Sequence, residues 1–255
     1  MARNNWSREE HIVAFNLYFK IPFSKITTNN RDIQLLAAVI GRSVGSVAMK
    51  LANFARLDPN LKARNISGLT QGAKGEEEVW MEFNDNWDKL SLESEQILAK
   101  YRAKPIETSV GIDTDDITPE GLEREAIVKI RINQAFFRTS VLASYNFRCC
   151  VTGMNTSDLL VAGHIIPWSH SPKHRTNPGN GLCLNALHDK AFDKGLMTIT
   201  PDYKIKFSNR LLDEKKTSCA ESFFYPYNNQ KIALPQKFLP IKECLEYHNQ
   251  KIFIE

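Results

Sequence analysis

Long apolar runs are missing from this 255-residue chain: no stretch reaches the roughly eighteen consecutive apolar residues that a membrane-spanning helix needs. Its opening, MARNNWSREEH, has no apolar segment of the kind that a secretory leader carries. The five cysteines, Cys149, Cys150, Cys183, Cys219 and Cys244, are an odd set without a Cys-x-x-Cys pair. That spacing argues against a secreted disulfide framework and against a zinc knuckle, so reduced, mostly buried thiols and no structural zinc are expected. Internal repeats and low-complexity tracts are also lacking. The expectation from these absences is a soluble, cytoplasmic protein with no membrane partner.

What is present, 42% hydrophobic residues in a chain of this length, suffices for a proper core and suits two small domains. The first is expected over residues 1–104 and should be helical. Ser7 with Glu10 three residues on reads as a capping box, and Ile12, Phe15, Leu17, Tyr18 and Phe19 give the following helix an apolar side until Pro22. A second amphipathic helix is expected over 31–40, with Ile33, Leu35, Leu36, Val39 and Ile40 inward. After the Gly41-Arg42-Ser43 turn, Ser43 should cap a third helix that runs to about Phe54. One further helix is expected over 76–101, where Trp80, Phe83 and Trp87 form a core or interface stripe. Residues 105–121 have the Pro, Gly and Asp density of an exposed linker. The second domain is expected over 122–255.

The stretch from Arg148 to Thr200 carries the chemistry. Cys149 to Thr152 reads as a short strand, Gly153 to Ser157 as a turn, and Leu159 to Ala162 as a returning strand that ends at Gly163-His164-Ile165-Ile166-Pro167-Trp168. A polar loop with His170, Lys173, His174 and Arg175 follows. The run opened by Asn180 then reads as a short helix bearing His188. Hairpin, histidine at a strand end, asparagine after a loop and histidine on a helix appear in that order.

With CVTG, AGHIIPW, NPGNGLCL and HDKAFDKG in place, this segment resembles the HNH endonucleases of the ββα-metal class, in one bacterial, restriction-type branch. The resemblance implies an α+β protein with a helical, DNA-binding-like N-terminal lobe and a C-terminal ββα-metal nuclease lobe. It implies cleavage of DNA phosphodiester bonds with one divalent ion, Mg²⁺ or Mn²⁺. His164 would be the general base, Asn180 the residue that holds that histidine or its loop, and His188 a metal ligand. Many relatives place a metal-binding residue immediately before the base, where this chain has Gly163. The ion would then rest on His188 nearly alone, or with help from Asp189, Asn185 or Asp193. The chemistry asks for such residues independently: imidazole titrates near neutral pH and can take a proton from water, and a divalent cation neutralises charge that develops on the departing oxygen.

Charge is unevenly spread. Ten Lys and Arg against four Asp and Glu give residues 1–64 a balance of +6; five against thirteen give residues 65–122 a balance of −8; eighteen against twelve give residues 123–255 a balance of +6. Two basic ends around an acidic middle suit two lobes that face a polyanion. Helix, glycine turn, helix is the outline of a helix-turn-helix, with Arg42 and Lys50 as candidate phosphate contacts. Arg138, Lys173 and Arg175 are the corresponding candidates in the nuclease lobe. The partner is expected to be double-stranded DNA, and a twofold dimer is the simplest way to cut both strands. The biological role that suits such a chain is a restriction or modification-dependent defence nuclease. Two other readings stay open: a DNA-binding regulator in which the fold survives without catalysis, fed by Gly163, and a nonspecific effector nuclease acting on RNA or DNA.

Overall fold

The computed structural model describes residues 5–63, 72–111, 121–212 and 217–255. It is a mixed, mainly helical architecture with two small sheets, α+β as expected from the sequence. The chain divides into two compact units, Met1–Phe136 and Phe137–Glu255.

The first unit is helical. α1 (Arg8–Lys20) starts at the Ser7–Glu10 capping box, in which Ser7 accepts from the Glu10 amide and Glu10 accepts from the Ser7 amide. α2 (Arg31–Ile40) is capped by Asn30 and stopped by Gly41, whose φ of 68° is the left-handed conformation that favours glycine. α3 (Val44–Ala55) starts under Ser43, whose side chain accepts from the Ser46 amide. α2 turns Ile33, Leu36 and Ile40 inward but leaves Leu35 exposed, contrary to the expected packing side. A short α4 (Pro59–Ala63) follows. The single helix expected over 76–101 is two helices, α5 (Lys74–Phe83) and α6 (Trp87–Arg102). Asn84-Asp85-Asn86 breaks it, with Asp85 at a φ of 65°, a conformation that Asp and Asn tolerate better than most residues. Trp80 and Trp87 pack on Phe15 and Phe19 of α1 at centroid distances of 5.3 and 5.0 Å, so the aromatic stripe is core.

Of the expected linker, α7 (Ile106–Ser109) is helical and residues 112–120 lie outside the described residues. Of the residues of α8 (Gly121–Ser144), Val128 and Ile132 pack with Leu92 and Ile106 in the first unit, and Phe137, Val141 and Leu142 belong to the core of the second.

In that second unit the observed hairpin differs from the expected one. β1 (Leu160–His164) pairs antiparallel with β2 (Gly181–Asn185), with His164 opposite Gly181 and Gly163 opposite Leu182. Residues 150–152 of the expected first strand form a turn, tied to β2 by the Cys150 amide on the Cys183 carbonyl at 2.7 Å. Residues 181–185, expected to open a helix, are the second strand, and all five are buried. A short apolar run buried on both faces carries no period that separates strand from helix. The helix proper is α9 (Ala186–Asp193), which Asn185 caps. β3 (Met197–Ile199) and β4 (Ile205–Phe207) make a second antiparallel pair. α10 (Asn209–Leu212), α11 (Ser218–Phe223) and α12 (Lys242–Lys251) complete the chain. Among the described residues, no single helix is long and apolar enough to cross a membrane.

Candidate active site

His164 closes β1, and three contacts fix its ring. Phe137 of α8 lies flat against it, with centroids 3.7 Å apart and planes 9° from parallel. Trp168 meets it edge-on at 5.6 Å. Nε2 is 2.9 Å from the Arg175 carbonyl oxygen. A carbonyl can only accept, so Nε2 carries the hydrogen and the neutral ring keeps its lone pair on Nδ1. Burial lowers the His164 pKa below the ordinary histidine value, although the Arg175 carbonyl and the Asp193 carboxylate oppose it. At neutral pH the ring is therefore uncharged and able to take a proton at Nδ1. Gly181 makes the Phe137 stack feasible: a Cβ there would sit 2.3 Å from Val141 Cγ2 and 3.0 Å from Phe137 Cζ.

Asn180 is buried and does not reach His164. Its Oδ1 accepts from the Ile166 amide at 2.8 Å, and its Nδ2 donates to the carbonyls of Ile166 at 3.0 Å and His174 at 3.2 Å. It thereby ties both ends of the loop that supplies Arg175. Within that loop Arg175 Nε donates to the Trp168 carbonyl at 2.8 Å and its guanidinium carbon lies 5.6 Å from the Trp168 ring centre. Lys173 is exposed. Arg138, on α8, donates to the Leu160 carbonyl at 3.0 Å and so braces the start of β1.

α9 sorts the metal-ligand candidates by helical phase. His188 faces inward with Ala191 and Phe192 and has no exposed surface. Its Nε2 is 2.8 Å from the Phe223 carbonyl, its Nδ1 is buried, and Phe207, Phe224 and Tyr227 surround the ring at 5.8–6.2 Å. His188 thereby joins α9 to α11 within the core. Asn185 caps the helix: its Oδ1 accepts from the His188 amide, and its Nδ2 donates to Thr152 Oγ1. Asp189 and Asp193, one turn apart, lie on another stripe of the helix. Asp189 Oδ1 comes so close to β1 that a Cβ on Gly163 would be 2.6 Å from it. Burial, reinforced by the neighbouring Asp193 charge, raises the Asp189 pKa to about 6. Neither carboxylate has an ion pair or hydrogen bond among the described residues.

Residues 149–200 match the family model of the HNH endonucleases. The segment belongs to that family. It contains His164, Asn180 and the whole of α9, and it gives the chain a nuclease-type domain, with nucleic acid as the implied substrate. No curated protein matches the chain. Phe137, which stacks on the HNH histidine, lies outside the matched segment. Its contact with a ring twenty-seven positions away was not legible in the sequence.

The two candidates in the first unit require a further correction. Arg42 is mostly buried: its Nε and Nη2 donate to the Glu10 carboxylate at 2.7 Å, and Nη2 also donates to the Asn5 carbonyl at 2.8 Å. Lys50 is buried against Glu76, which has no exposed surface and also accepts from Asn53 Nδ2 at 2.9 Å. These cations are bound to the carboxylates of the fold and do not offer themselves to phosphate.

Proposed function

We propose that this chain is a metal-dependent DNA endonuclease in which His164 is the general base. The observation that carries the reading is the fixed tautomer of His164, with Nε2–H held by the Arg175 carbonyl and Nδ1 without a hydrogen bond among the described residues, in a ring that feels the Asp193 carboxylate. A water attacks phosphorus as its proton passes to Nδ1, the bond to the 3′ oxygen breaks, and that oxygen leaves as the alkoxide and is protonated from solvent. The Phe137 stack and the Asn180-tied loop keep the ring in place, which limits reorganisation during proton transfer. Arg138, Lys173 and Arg175 are the proposed contacts to the DNA backbone.

The donor set fits a hard divalent ion. No three His, Cys, Asp or Glu side chains converge on a metal position among the described residues. Mg²⁺, however, retains several waters and is commonly held by one or two carboxylates together with phosphate oxygens. Asp189 and Asp193, without an ion pair among the described residues, are the residues that would hold it, and His188 and Asn185 are not among them. When bound, Mg²⁺ or Mn²⁺ neutralises charge on the scissile phosphate and the departing oxygen.

A restriction or modification-dependent defence role, a cytoplasmic site of action and a twofold dimer for double-strand cutting complete the proposal. It is tested by offering supercoiled plasmid, single-stranded DNA and RNA side by side, with and without Mg²⁺ or Mn²⁺. The expected result is metal-dependent plasmid cleavage that His164→Ala abolishes. Absence of cutting in every arm, with duplex binding retained, would establish a binding protein instead, and preferential cutting of RNA would establish the effector reading.

A further inference from the structure

Glycine within a strand interior weakens pairing and needs a reason. Gly163 has none in its backbone, which lies outside the left-handed region that favours glycine. The obstruction to any other residue is one atom: Asp189 Oδ1 lies 2.6 Å from the place a Cβ would take, and the next nearest atom, Leu184 Cδ1, is an ordinary 3.6 Å away. The missing side chain therefore serves the carboxylate. That carboxylate is half-buried, its charged neighbours within α9 are Asp193 and the exposed Lys190, and it makes no ion pair or hydrogen bond among the described residues. A half-buried carboxylate with a like charge one turn away and no partner among the described residues is suited to a cation that arrives from outside.

We propose that Gly163 is a functional glycine: the room it leaves beside His164 seats the Asp189 carboxylate against β1, and Asp189 so placed is the principal protein ligand of the divalent cation. The inference rests on the metal-dependent reading above and deepens it, because it makes a residue without a side chain a determinant of cation affinity. It also explains how the position before the base can be a glycine without loss of the ligand. A side chain grown from residue 163 starts where the Asp189 carboxylate already lies, so the strand and the helix compete for one place.

The test is Mn²⁺ affinity of the full chain without nucleic acid, read from the electron paramagnetic resonance signal of the free ion. Because the atom in the way is the tip of a side chain, Gly163→Ala should fold and push Asp189 aside. Gly163→Ala and Asp189→Asn are each expected to weaken Mn²⁺ binding by about tenfold or more, the range that follows loss of a supporting or liganding group. Asp189→Ala should be equally weak, and the double variant Gly163→Asp/Asp189→Ala should return towards the wild-type affinity, because its carboxylate grows into the same space. Circular dichroism and thermal midpoints of each variant separate misfolding from lost binding. Wild-type affinity in a folded Gly163→Ala, or in Asp189→Asn, overturns the inference, as does failure of the wild type to bind Mn²⁺ both alone and with a phosphorothioate duplex. Binding that depends on Asp189 in a protein that cuts nothing leaves the inference standing and removes the nuclease reading; cutting that is indifferent to Asp189 does the reverse.

Discussion

Removing Glu76 should destabilise the first unit. The side chain has no exposed surface, Lys50 is only 7% exposed, and Asn53 donates to the same carboxylate. Glu76 also accepts from the Ala73 amide at 2.9 Å, the reciprocal contact at the start of α5. Glu76→Ala leaves a buried ammonium and a buried amide without their acceptor, a loss of about 3–5 kcal/mol for breaking such a pair from one side. That is a large share of the roughly 5–15 kcal/mol by which domains are stable. The double change Lys50→Met/Glu76→Leu removes both charges and should recover most of that loss, short of about 1 kcal/mol for the lost cap. Urea unfolding monitored by tryptophan fluorescence reads both numbers. The same double variant, titrated with duplex DNA over a range of salt, should show an unchanged slope of log affinity against log salt. A phosphate contact by Lys50 would lower that slope by about 0.9. A fall of that size, or a fully stable Glu76→Ala, refutes the assignment of Lys50 to the fold.

Three other outcomes follow from the second unit. Asn180→Ala removes the partners of the Ile166 amide and carbonyl and of the His174 carbonyl, and at about 1–3 kcal/mol for a buried group left unpaired it should lower the unfolding free energy by at least about 2 kcal/mol and slow cleavage. Phe137→Leu keeps apolar volume but removes the flat stack on His164; turnover should fall by about tenfold to a hundredfold from misplacement of the base, with a stability change under about 1.5 kcal/mol in calorimetry. His248 is buried between Phe192, 3.7 Å away and stacked, and Thr198, and burial lowers its pKa to about 4 despite the Phe192 carbonyl. The unfolded chain, with an ordinary histidine value near 6.5, binds that proton first, so stability is full above about pH 6.5 and is lost as pH falls towards 4, by about 3 kcal/mol in all. His248→Gln should flatten that part of the stability–pH curve, and a curve that keeps its full slope would place the titration elsewhere.

The starts of α1 and α3 were legible because caps are local: Ser7 with Glu10, and Ser43, act within three residues of themselves. The glycine stop at Gly41 is legible for the same reason. β2 was not, because Gly181–Asn185 is buried on both faces and its pairing with β1 is set across the whole 165–180 loop. The order of His164, Asn180 and His188 identified the family segment, but the phase of α9 could not be read without knowing where α9 begins. Starting the helix at Ala186 under Asn185, instead of at Asn180, turns His188 into the core and leaves Asp189 and Asp193 on the stripe beside β1. Arg42 and Lys50 looked like a phosphate-facing pair because their acceptors, Glu10 and Glu76, lie thirty-two and twenty-six positions away. Charge balance along a chain does not reveal such pairs.

Whether catalysis rests on His164 facing the α9 carboxylates, and not on a pair of histidines, is tested most directly by one rate constant. Single-turnover cleavage of duplex DNA at saturating Mn²⁺ should be compared for His164→Ala and His188→Gln, both at a temperature where calorimetry shows each variant folded. The expected result is a loss of about a hundredfold or more for His164→Ala, the contribution of a positioned base, and near wild-type cleavage for His188→Gln. A folded His188→Gln as inactive as His164→Ala would contradict it.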